Sequence, residues 1–186
     1  MGKSVAFLAV EAVNSGKDLQ IFAIDSWEDH EAVTSAEAFD GEETYRCYRE
    51  NIAPVADRIE TRRMSSLEAA AEFTNGRCDF VFIDASHEYR DVLDDLAAWY
   101  PKVRSGGVLA GHDFHWPGVS RAVREFARAN GLKRPRKAEL CWVIEVGAES
   151  RSISQRVHDL VAAPKENLLT LVARIRYEFM TRRARS

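Results

Sequence analysis

The sequence predicts an α/β fold, a mostly parallel sheet with helices on both faces. Three observations carry this. Short runs rich in Val, Ile, Leu and Phe are apolar throughout rather than at every second residue, the pattern of strands buried on both sides. They alternate with segments whose apolar residues recur at helical spacing. Hydrophobic residues make up 46% and charged residues 30% of the 186 positions, which suits one domain with a real core and not a disordered chain.

The elements follow in order. Residues 4–14 have Ser4 as a cap candidate, helical spacing and a stop at Ser15-Gly16; a buried strand over 5–10 is the rival reading. Residues 19–25 read as a buried strand closing on Asp25, and 35–53 as a helix stopped by Pro54. A short strand fits 58–63. Ser65-Ser66 would cap a helix over 67–73 that Asn75-Gly76 ends. The most apolar strand is 78–83, followed at once by Asp84. Ser86 would cap a helix with Val92, Leu93, Leu96 and Trp99 on one face. Pro101 and Ser105-Gly106-Gly107 read as a turn before a strand at 108–111. A helix over 116–130 closes at Gly131, and 139–146 is a strand. Residues 1–150 thus form the domain, and 151–186 a helical extension broken by Pro164.

Composition excludes several roles. A net charge of −3 gives no field to draw nucleic acid or an anionic membrane. No apolar run approaches the roughly 20 residues of a membrane span, and the first residues lack a signal-peptide pattern. Cys47, Cys78 and Cys141 are odd in number and lack metal-ligand spacing, as expected of reduced thiols in a cytoplasmic protein. Arg174, Arg176, Arg182, Arg183 and Arg185 make the C-terminal end basic, either a solvated helix face or a docking surface. The oligomeric state stays open, a homo-oligomer included.

In parallel sheets ligands bind outside the carboxyl ends of the strands. Asp25 there can accept the hydroxyls of a ribose or cap a loop, and Trp27 can stack on an adenine or close that loop. Asp84 ends an apolar strand, where a carboxylate needs a hydrogen bond, a charge partner or a cation. His87 follows near a helix start, which disfavours its protonated form and suits a base. His112-Asp113 comes after the next strand. Asp84 with Asp113, and His112 beside them, can hold a hard divalent ion such as Mg2+ or do acid–base work. His115 and Trp116 would complete a rim facing an acceptor.

The stretch Phe82-Ile-Asp-Ala-Ser-His-Glu-Tyr89 and the run Trp99-Tyr-Pro-Lys-Val-Arg-Ser-Gly-Gly-Val-Leu-Ala-Gly-His-Asp-Phe114 resemble class I S-adenosylmethionine-dependent methyltransferases of sugar and natural-product biosynthesis. The resemblance implies a Rossmann-like sheet, S-adenosyl-L-methionine as methyl donor and a small-molecule hydroxyl as acceptor. It implies that Asp25, with Ser26 and Trp27, holds the donor's ribose and adenine side, that Ser65-Ser66 flanks the adenine, and that Asp84, Ala85 and His87 line the reaction site. His87, His112 and Asp84 would be catalytic. Related sugar O-methyltransferases carry magnesium on an acid after one strand and an acid pair after the next, where this chain has His112-Asp113. Such proteins begin with a central strand and a glycine-rich turn; Gly2-Lys3-Ser4 resembles only the end of that turn, so the first central strand is expected to be missing. A catalytically degenerate relative that serves as a binding or partner subunit is the alternative function. A nicotinamide oxidoreductase is disfavoured, since no G-x-G-x-x-G follows a strand.

Overall fold

A computed structural model describes residues 2–28 and 40–147. The fold is mixed α/β and Rossmann-like, in two compact units divided in sequence between Ser65 and Ser66.

The first unit holds α1 (Lys3–Ser15), β1 (Ile21–Asp25), α2 (Gly41–Ile52) and β2 (Ile59–Arg63). Segment 3–15 is the helix of the two readings. It buries Ala9 and Ala12 and leaves Val10 and Val13 exposed. Gly2, rather than Ser4, holds its N-cap position, and Gly16 closes it in a left-handed conformation. Asp40 caps α2, its Oδ1 accepting from the Glu43 amide at 2.9 Å; residues 29–39 lie outside the described region. A 3₁₀ turn at Ala53–Arg58 carries Pro54 and ends α2. The two strands run parallel, from Ile21 beside Ile59 to Asp25 beside Arg63. Ala9, Trp27, Tyr48, Ile52 and Ile59 form this unit's core, and the Tyr48 hydroxyl meets that of Thr61 at 2.7 Å.

The second unit holds α3 (Ser66–Glu72), β3 (Cys78–Ile83), α4 (Tyr89–Trp99), β4 (Val103–Gly111), α5 (Pro117–Ala129), β5 (Arg136–Ala138) and β6 (Cys141–Glu145). Its sheet order is β3-β4-β6-β5. β3 and β4 are parallel, while β6 runs antiparallel to both β4 and β5. Only β1–β2 and β3–β4 therefore meet the parallel expectation. The reason is local: β5 and β6 are joined by Glu139 and Leu140 alone, and so short a link connects only antiparallel neighbours. Leu96, Leu109, Val123, Trp142 and Val143 are its most buried large side chains, each contributing about 1.5–3 kcal/mol through burial.

Two local expectations are corrected. Ser105-Gly106-Gly107 is no turn before a strand but a bulge inside β4. The register passes from Cys78 beside Val103 to Phe80 beside Val108, and the bulge keeps pairing, since Gly106 N donates to Val146 O at 2.7 Å. Ser86 does not cap α4, which starts three residues later. Its hydroxyl accepts from the Glu88 amide at 3.1 Å and donates to Asp91 at 2.7 Å, closing a turn ahead of the helix.

Among the described residues no strand pairs with the second edge of β1 or of β3. The extension over 151–186, its arginines and the boundary at 150 lie outside the described residues.

Candidate active site

The site is set by the end of the β3–β4 pair. Ile83 lies beside Gly111 in register, and the His112 amide donates to Ile83 O at 3.0 Å. That places Asp84 and His112, the next residue of each strand, side by side. Parallel strands end at the same level, so both side chains emerge at one rim.

Two glycines make this closeness possible. A Cβ on Gly111 would stand 2.4 Å from Ile83 O and 2.5 Å from the Trp142 ring. A Cβ on Gly118, in the first turn of α5, would stand 2.5 Å from His87 O. Nothing in composition separates these glycines from ordinary turn residues, and their supporting role was not legible in sequence. Pro117 presets the first turn of α5.

Asp113 is the hub. Its backbone is left-handed, φ 57°, a region Asp tolerates better than most side chains. One carboxylate oxygen, Oδ2, lies 2.8 Å from His87 Nε2 and 3.1 Å from His112 Nδ1. His115 Nδ1 stands 3.7 Å from Oδ1. Burial pulls the Asp113 carboxyl upward, but hydrogen bonds from His87 and His112, and their charge, outweigh it and hold it below its ordinary value. Asp84 goes the other way. Burial raises it, the attraction of His112 opposes, and the like charge of Asp113 adds to the rise. Its side chain is nevertheless 50% exposed, so water tempers that push. His87 stacks on Trp116, centroids 5.1 Å apart and planes at 15°, and Trp116 is itself exposed. Asp84, Ala85, His87, His112, Asp113 and Trp142 line one pocket.

The remaining site candidates belong to the first unit and to the start of the second. In the first unit Asp25 is exposed at the end of β1, its Oδ1 accepting from the Trp27 amide at 3.0 Å. Exposed and at a strand end, it fits the chemistry of an acid that accepts ribose hydroxyls. Ser26 gives its carbonyl to Arg63 at 3.3 Å. Trp27 is buried, with Tyr45 and Tyr48 each 4.8 Å away between ring centroids. Gly2, Lys3 and Ser4 sit at the start of α1. Ser65 is exposed just before α3. Ser66 has its hydroxyl inside the second unit, donating to Asp95 at 2.5 Å and accepting from Trp99 Nε1 at 2.9 Å. Asp95 is only 5% exposed, a buried acid hidden from sequence reading within an amphipathic helix.

Asp84, His112 and Asp113 each bring one ligand atom, all within 4.8 Å of one another. The spacing suits a cation. The imidazole does not suit magnesium, which takes oxygen ligands and keeps its waters. Asp84 and Asp113 thus remain as ligand candidates, with a third ligand of another kind.

A family model described as a methyltransferase domain matches residues 1–114, more than half of the chain. No curated protein matches. Among solved structures, a Corynebacterium glutamicum protein aligns with TM-score 0.51 at 15% identity, over 72% of this chain and 63% of its own. The O-methyltransferase NovP aligns with TM-score 0.51 at 16% identity, over 77% of this chain and 67% of its own. The calicheamicin methyltransferase CalS11 gives 0.50 at 15%, over 76% and 66%. The chain spans about two thirds of the length of these structures. At such identity the likeness is one of fold.

Proposed function

This chain belongs to the methyltransferase domain family, and from that premise we propose that it methylates a hydroxyl of a small molecule, a sugar or natural product. The cofactor of such a domain is S-adenosyl-L-methionine. The reading is carried by one observation: Asp84, His87, His112 and Asp113 gather in one pocket at the ends of neighbouring parallel strands.

When bound, S-adenosyl-L-methionine supplies a methyl group on a positively charged sulfur that departs as a neutral thioether. His87 or His112 takes the proton from the acceptor hydroxyl as its oxygen bonds to the methyl carbon. Asp113, held ionised, stabilises the imidazolium that results. Asp84 supplies a second negative wall that orients the imidazoles. Asp25 would hold the donor's ribose. Holding the two reactants in line supplies most of the acceleration, and no covalent enzyme intermediate is required.

The alternative is a degenerate relative that binds rather than catalyses. Calorimetric titration with S-adenosylhomocysteine separates the two. Binding near micromolar is expected of the enzyme, and no binding at millimolar concentration leaves only the alternative.

A further inference from the structure

We infer that Asp84, His112 and Asp113 form a centre for a divalent transition ion of the zinc class, one that discriminates against magnesium. The inference rests on the reading of this pocket as the functional site, but not on the donor.

The three ligand atoms lie within 4.8 Å of one another, near the spacing of ligands that share an ion. An ion about 2.0–2.2 Å from each ligand atom sets ligand–ligand edges of roughly 3.0 Å at octahedral and 3.4 Å at tetrahedral angles. His112 Nδ1 lies 3.1 Å from Asp113 Oδ2 and 3.7 Å from Asp84 Oδ1, so small side-chain rotations close the set. The backbone already holds it. Asp84 and His112 are fixed by the β3–β4 register, and the left-handed turn at Asp113 aims its carboxylate back at both.

Chemistry then selects the ion. One imidazole and two carboxylates give a mixed nitrogen–oxygen set. Imidazole favours zinc and its first-row neighbours, while magnesium and calcium demand oxygen. Calcium also needs six to eight ligands at about 2.3–2.6 Å, more than three side chains provide. His87, bonded through Nε2 to Asp113 Oδ2 at 2.8 Å, is the outer partner that orients a ligating carboxylate. With His112 committed to the ion, His87 is the imidazole left for the acceptor's proton.

The full chain, stripped by chelator, is titrated separately with Co2+, Zn2+ and Mg2+ by calorimetry in the absence of methyl donor. Co2+ and Zn2+ are expected to bind in a single equivalent, on the order of 100-fold more tightly than Mg2+. Bound Co2+ should show the visible absorption of a mixed imidazole–carboxylate site. His112→Asp should weaken Co2+ about tenfold and strengthen Mg2+; His112→Gln, with circular dichroism on both variants, guards against a misfolded protein. Equal affinity for Mg2+ and Co2+ overturns the inference. So does absence of Co2+ binding, or Co2+ affinity unchanged in both Asp84→Asn and Asp113→Asn, which places the ion on other histidines. Metal bound without S-adenosylhomocysteine binding would defeat the donor reading alone, and the reverse would defeat this one alone.

Discussion

Asp25 and Asp84 share one sequence pattern, an apolar strand closing on an acid, and reach different ends. Asp25 turns a carboxylate oxygen onto its own loop, accepting from the Trp27 amide. Asp84 meets His112 and Asp113, with His87 one hydrogen bond further out. The strands themselves are alike, since among the described residues β1 pairs with β2 alone and β3 with β4 alone, and both are half-buried. The difference lies behind Asp84, where β4 and β6 are buried almost throughout at the level of the site. An acid at a strand end marks a position. The elements around that position decide its chemistry.

The sharpest break of the contrast is the double variant His87→Ala with His112→Ala. It should lower methyl transfer by about 10²–10⁴ at saturating donor while S-adenosylhomocysteine affinity holds; activity that survives sinks the assignment of the base. Next comes Gly111→Ala, which forces a methyl against Ile83 O and Trp142. It should cost about 1–3 kcal/mol in urea unfolding and disturb Co2+ binding. An unchanged midpoint and unchanged affinity would show that the rim does not depend on this approach. Asp25→Asn should raise the S-adenosylhomocysteine Kd about tenfold, roughly 1.4 kcal/mol, with kcat at saturating donor preserved. A fall in kcat with Kd intact would erase the difference between the two acids.

The smallest effect concerns Asp95, an acid with no imidazole in its hydrogen-bond network. Burial raises its pKa against the hydrogen bond from Ser66. A raised carboxyl binds its proton more tightly in the folded state. Its stabilising contribution is complete below the unfolded value of about 3.9 and is lost as pH rises through the folded value. Asp95→Asn should therefore match the native chain in Tm near pH 4 and exceed it at pH 7; a lower Tm at pH 7 would show that the charged form is the one the Ser66–Trp99 network holds.

Much of this was legible beforehand. Strands ending at Asp25, Ile83 and Gly111 announce themselves as short contiguous apolar runs, the same signal that leaves 5–10 open between strand and helix. The grouping of Asp84, His87, His112 and Asp113 followed from where parallel strands end. What escaped notice depends on partners distant in sequence. Arg136-Lys-Ala138 carries no apolar signal and is a strand only because β6 pairs with it. Ser105-Gly106-Gly107 has turn composition, yet Val146 keeps it in the sheet. The bonds of the Ser66 hydroxyl to Asp95 and Trp99 join residues 29 and 33 positions apart in the chain, beyond the reach of any local pattern.

The bulge in β4 has a consequence for change over time. It lies between Val103 and Val108, ahead of the residues that register with β3 at the site. It is no loose loop: Gly106 and Gly107 exchange backbone hydrogen bonds with Val146, and a Cβ on Gly107 would stand 2.9 Å from Asp79 O. A residue gained or lost at 105–107 has to break that pairing, so the rim that carries Asp84, His112 and Asp113 also fixes the length of the strand that leads to it.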